Sequence, residues 1–136
     1  MFDGEHIWVA NSVDHTVSKL ALDGTVVGAF PVGQGPIALA FDGKNIWVAN
    51  WRENTLSKVG PDGADLGKFP VVMLAFDFIL DRLGELPLTL TVDGERVWIA
   101  KSGHGTVSRK QLDGVTIGTY PVGSGPASVA YDGASL

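Results

Sequence analysis

The sequence predicts an all-β fold, a partial β-propeller of about three four-stranded antiparallel blades with a short helical insert in the second repeat. Three observations carry that expectation. The stretch Phe41-Asp42-Gly43-Lys44-Asn45-Ile46-Trp47-Val48-Ala49-Asn50 recurs almost word for word from Phe2 to Asn11 and from Val92 to Lys101. Asp-Gly pairs punctuate the chain at Asp3, Asp23, Asp42, Asp62, Asp93, Asp113 and Asp132. Between these pairs, large and small residues alternate with the period of a strand rather than that of a helix. Self-similarity at a spacing of roughly 20–50 residues marks a solenoid or propeller, and roughly 40–45 residues is one propeller blade.

Residues 1–136 read as a single array, with repeats over 2–40, 41–91 and 92–130 and a fourth opening at 131–136. Within the second repeat, Gly35 to Phe41 alternates as a first strand. Asp42-Gly43 turns the chain, because glycine accepts the positive φ that tight hairpins need. Ile46-Trp47-Val48-Ala49 is rich in β-formers and makes a second strand. Thr55 to Val59 is a third, Pro61-Asp62-Gly63 turns again, and Leu66 to Val71 is a fourth. On the first strand Ile37, Leu39 and Phe41 share one face, while Ala38 and Ala40 share the other. A sheet with one bulky and one small face can nest against its own next copy. Trp8, Trp47 and Trp98 recur at one repeat position and read as core.

The spacing has one departure. Asp3 to Asp42 is 39 residues, Asp42 to Asp93 is 51, and Asp93 to Asp132 is 39 again. The surplus falls at 72–83. There Asp77, Asp81 and Glu85 with Arg82 form a narrow polar stripe on an apolar background, which predicts a helix. A rival reading starts from Leu74-Ala75-Phe76-Asp77, which repeats Leu39-Ala40-Phe41-Asp42 and would make part of the insert a duplicated strand.

Composition excludes several classes. The net charge of −5, with no Lys or Arg run, argues against nucleic acid as partner. The absence of cysteine removes disulfides and thiolate metal sites. Met1 is followed by Phe-Asp-Gly-Glu with no signal-peptide pattern, and no apolar run is long enough to span a bilayer. The compartment stays open, and an extracytoplasmic one is admitted if the chain is part of a longer protein.

Antiparallel strands send alternate loops to opposite ends of a blade. All seven Asp-Gly turns therefore fall on one end, and the other collects the loops that vary between repeats. Binding residues sit preferentially on loops held by a rigid scaffold. The candidates there are Gln34, the Trp51-Arg52-Glu53 break in the repeat, and the two loop histidines His15 and His104. Trp and Arg are typical contact anchors, although Trp51 could also pack on the insert. Two loop histidines make a weak metal site, and no Asp-x-Asp-x-Asp spacing suggests calcium. Ser18, Ser57 and Ser108 lack a Gly-x-Ser-x-Gly elbow, and Gly33-Gln34-Gly35-Pro36 is too short for a phosphate loop. No catalytic residue, metal ligand or cofactor is assigned.

The succession Asp-Gly-x-x-Ile-Trp-Val-Ala-Asn, Thr-Val-Ser-Lys, Asp-Gly-Thr-Val and Phe-Pro-Val-Gly-x-Gly-Pro resembles the YVTN-type β-propeller repeat. It is also similar to NHL-type repeats and to the propeller of streptogramin (virginiamycin B) lyases. The resemblance implies a bladed propeller, often of six or seven blades, used mostly for binding. It implies for the lyase a His and Glu chemistry with magnesium, which maps onto no residues here. The expected function is a non-catalytic scaffold binding a protein or small ligand on its variable end. The alternatives are a lyase-like metal-dependent propeller and a purely structural surface repeat. With three blades' worth of strands, the chain is expected to be a fragment of a longer propeller or half of a two-copy, six-blade ring, and on either account to self-associate through its open blade edges.

Overall fold

The structure, a computed structural model, describes residues 1–71, 87–101 and 105–131. Those residues form eleven strands and no helix. The first sheet has three strands, β1 (Ile7–Asn11), β2 (Thr16–Leu20) and β3 (Val26–Pro31). The second has four, β4 (Pro36–Phe41), β5 (Ile46–Asn50), β6 (Thr55–Val59) and β7 (Asp65–Pro70). The third repeats the pattern with β8 (Pro87–Val92), β9 (Arg96–Lys101), β10 (Thr106–Gln111) and β11 (Thr116–Pro121). Every sheet is an antiparallel meander in chain order, as the repeat predicts. The expected helix or duplicated strand at 72–83 lies outside the described residues. Residues 126–131, the repeat equivalents of the β4 strand Pro36–Phe41, carry no strand pairing among the described residues.

The Asp-Gly turns work through their carboxylates. Asp42 Oδ1 accepts the backbone N–H groups of Lys44 (2.9 Å) and Asn45 (2.6 Å), and Gly43 follows at a φ of 91°. Its second oxygen accepts the indole N–H of Trp47 at 2.8 Å. The same arrangement recurs at Asp3 with Trp8 (2.6 Å) and at Asp93 with Trp98 (2.8 Å). One carboxylate thus closes a turn and fixes the polar tip of the largest core side chain. Turn geometry alone does not reveal this second role.

Two hydrophobic clusters lie between the sheets. Trp8 and Val17, with half-buried Phe30, pack against Ile46, Val48 and Val59 of the second sheet. Ala40, Trp47, Ala49 and Leu56 of the second sheet pack against Leu90, Val97 and Ile99 of the third. The bulky faces of the second and third sheets therefore nest against the opposite face of the copy before them, the nesting that the alternation of β4 predicts. That opposite face is not merely small: the Trp of the second strand fills the room left by Ala38 and Ala40. The third blade departs from its sisters in burying two lysines, Lys101 and Lys110. Lys110 donates to Thr116 Oγ1 at 2.7 Å, and burial, with a smaller contribution from Lys101, pushes its pKa down.

Candidate functional site

At the end opposite the Asp-Gly turns, the crossover Val32 to Gly35 docks onto the loop Trp51 to Asn54 of the second blade. Both glycines of that crossover are there for close approach. A Cβ on Gly33 would collide with the Glu53 carboxylate and the Asn50 amide, and one on Gly35 would sit 2.6 Å from the Trp51 indole nitrogen. Gly33 N–H donates to Ser57 Oγ (3.1 Å), Trp51 N–H to Gly35 O (3.0 Å) and Arg52 N–H to Gln34 O (3.2 Å). The loop is a blade-to-blade clasp.

Five of the six sequence candidates, His15, Gln34, Trp51, Arg52 and Glu53, meet at this junction, while His104 lies outside the described residues. Glu53 faces inward. It accepts Thr55 Oγ1 (2.9 Å), pairs with Lys68 Nζ (2.8 Å) and receives the Gln34 backbone N–H. Its burial alone would raise the carboxyl pKa. The Lys68, Thr55 and Gln34 contacts outweigh that and hold it below the usual value. His15 adopts a φ of 58°, and its equivalents Asn54 and Gly105 stand at 56° and 60°. Its position is set by loop geometry, which His tolerates better than most residues. His15 Nδ1 lies 3.2 Å from the Gly35 N–H and 3.1 Å from Ser12 O. It can accept the first or donate to the second, according to tautomer. Glu53 and His15 are therefore struts.

The outward members are Gln34 and Arg52, both exposed, with Trp51 half-buried beneath them. The Arg52 guanidinium stands 5.4 Å from the Trp51 ring centroid. Among the described residues, no three His, Cys, Asp or Glu side chains come together in a way that could hold a metal ion.

On the turn end, two of the recurring Asp–Trp pairs, at Asp3 and Asp93, make stability depend on pH. For Asp3 and Asp93, burial is the largest single influence and would raise the pKa. Hydrogen bonds from the Trp8 or Trp98 indole and from backbone N–H groups, with the charge of His6 or Arg96, bring both below the ordinary value of 3.8. A carboxyl depressed in the folded state contributes stability that is fully present above its unfolded pKa. That contribution is lost as pH falls through the folded value. The urea midpoint should therefore hold steady down to about pH 4 and then fall, and the double variant Asp3→Asn, Asp93→Asn should flatten the fall. An acid limb unchanged in the variant would show that these carboxylates contribute nothing.

No family model matches the chain, and no curated protein matches it in sequence. Solved structures do match its fold. Hydrazine synthase from Kuenenia stuttgartiensis is 21% identical with a TM-score of 0.75, over 92% of this chain and 35% of that one. A catalytically inactive virginiamycin B lyase from Staphylococcus aureus, solved with quinupristin, is 15% identical with a TM-score of 0.75, over 94% and 42%. The Pan2 WD40 domain from Neurospora crassa is 16% identical with a TM-score of 0.67, over 88% and 34%. The chain thus spans less than half the length of each of these proteins. Its fold is that of a β-propeller, similar to that of the streptogramin B lyases.

Proposed function

We propose that the chain is a non-catalytic propeller scaffold that binds a protein or small ligand on its variable end. The observation that carries this reading is the Trp51–Arg52 pair: an exposed guanidinium stacked on a half-buried indole, on a loop clasped to the preceding crossover. Aromatic and Arg side chains held in advance in one geometry are what contact hot spots are built from. Gln34 beside them offers an amide that can donate and accept. His15 and Glu53 serve by holding this surface still.

A peptide display library panned on the chain, with counter-selection on the double variant Trp51→Ala, Arg52→Ala, tests the reading. The enriched peptides should bind the variant about tenfold or more weakly. Peptides that bind both proteins equally would make the pair a structural contact. The rival reading, a lyase-like metal-dependent propeller, would be favoured by conversion of quinupristin by this chain in the presence of magnesium. A purely structural surface repeat would enrich no selective ligand. We also infer that the open blade edges self-associate, because large apolar side chains such as Leu22 on the first blade and Val122 on the third stand exposed there.

A further inference from the structure

Both blade junctions within the chain are closed by the same pair of contacts. At the first, Lys19 stacks over Trp8 (5.5 Å to the ring centroid) and donates to Pro61 O, 2.7 Å away in the turn of the second blade. Phe30, beside Trp8, lies on Gly63 of that turn, where a Cβ would collide with its ring. At the second junction Lys58 stacks over Trp47 (5.0 Å) and donates to Leu112 O at 2.6 Å, and Phe69 lies on Gly114 in the same way. A cation and an aromatic ring therefore form a plug, and the carbonyl and glycine of an x-Asp-Gly turn form its socket.

The described residues carry one further plug and one further socket. On the third blade Arg109 stacks on Trp98 (5.4 Å) and Tyr120 (5.3 Å), and its buried Nε has no hydrogen-bond partner among the described residues. On the first blade the turn Leu22-Asp23-Gly24 has nothing within 4 Å of a Cβ placed on Gly24. The three socket glycines share one backbone conformation, with φ of 87° at Gly24 and 89° at both Gly63 and Gly114. The apolar surfaces around the spare halves are bare. Val122 is 48% exposed where its equivalent Val71 is fully buried, and Leu22 is 71% exposed. A cavity of about 450 Å³ opens beside Trp98, Tyr120 and Val122.

We propose that these faces are the two halves of one interface and that a second copy of this chain docks there head to tail. Arg109 of each copy donates to Leu22 O of the other, and Tyr120 of each lies on the other's Gly24. The occupant is a second copy because plug and socket both occur in this sequence, in the same geometry that closes its internal junctions. A heterologous contact that closes after two copies gives a six-blade ring, within the usual range. The backbone adds to the fit. Met1 and Phe2 already pair with Trp8 and Ile7, which leaves Val9 to Asn11 of β1 as the open inner edge. Residues 126–129 of the other copy correspond to Pro36–Leu39 of β4, which lie alongside Val48–Asn50 of β5.

The inference rests on self-association and adds its direction and its contacts, so the test separates the two. Sedimentation of the 136-residue chain should show a dimer. Tyr120→Ala empties the plug at an exposed position. Gly24→Asn fills the socket with a residue that tolerates positive φ. Each variant alone should weaken the dimer about tenfold or more, while the turn control Gly4→Asn leaves it unchanged. An equimolar mixture of the two should associate more tightly than either alone, because Tyr120 of one then meets Gly24 of the other at one junction. A monomeric parent chain would overturn both ideas and leave these faces to another occupant. A dimer indifferent to both variants, or one that mixing does not restore, would overturn the head-to-tail docking alone. An open ladder of higher oligomers would overturn the two-copy ring.

Discussion

Replacing Trp47 with alanine is expected to cost about 3–5 kcal/mol and lower the melting temperature by about 10–20 °C. Trp47 has no exposed surface and lies between the second and third blades with Ala40, Leu56 and Val97. Its ring tilts against Phe69 with centroids 5.7 Å apart, and its indole N–H satisfies Asp42 at 2.8 Å. Truncation opens a large cavity and leaves a carboxylate oxygen without its donor. Trp47→Phe keeps most of the burial and loses the hydrogen bond, so about 1–2 kcal/mol is expected. Trp98 occupies the same repeat position but is only half-buried, because no described blade covers its outer face. Trp98→Ala should accordingly cost less than Trp47→Ala. Denaturant unfolding of the three variants checks this at a concentration where the chain is monomeric. Equal losses for the two alanine variants would mean that blade nesting is not what buries the tryptophan.

Gly63→Ala should cost at least about 2 kcal/mol, and Gly43→Ala only about 1–2 kcal/mol. The two glycines share nearly the same backbone, with φ of 89° and 91°, so the conformational penalty is common to both. They differ in what a methyl group would meet. At Gly43 there is nothing within 4 Å, whereas at Gly63 the Phe30 ring lies directly on the site. Phe30 cannot swing aside freely, since it is tilted against buried Trp8 with centroids 5.9 Å apart. The excess at Gly63, about 1–3 kcal/mol, measures the contact between the first and second blades. Equal penalties for the two substitutions would show that the aromatic plug is loose enough to yield.

The candidate site was legible in its location and only half legible in its roles. Strand alternation places His15, Gln34, Trp51, Arg52 and Glu53 on one end, and the fold brings them together there. Which of them point outward could not be read from spacing. Glu53 turns inward because Lys68 and the Gln34 N–H, on a strand and a crossover distant in sequence, meet it there together with neighbouring Thr55. His15 is held by a positive φ that its repeat equivalents Asn54 and Gly105 share. The blade-to-blade plug did leave a signal. A cation recurs as Lys19, Lys58 and Arg109, and an aromatic ring as Phe30, Phe69 and Tyr120. A recurrence of this kind marks a shared role, but it does not say that the role is to reach the next blade's turn.

The sequence by itself determined the strands, their antiparallel order and the turns. Each depends on neighbours within a few residues: alternation fixes the faces, and Asp-Gly fixes the reversals. It also determined that successive sheets nest, because β4 carries bulk on one face and alanine on the other. Only the tertiary structure decided that Asp42 holds Trp47, that Lys19 and Lys58 reach across to Pro61 and Leu112, and that Phe30 and Phe69 rest on glycines. The last two kinds of contact join residues some 33–54 positions apart, on separate sheets. Their partners are fixed by how two whole sheets lie against each other, and no local pattern encodes that.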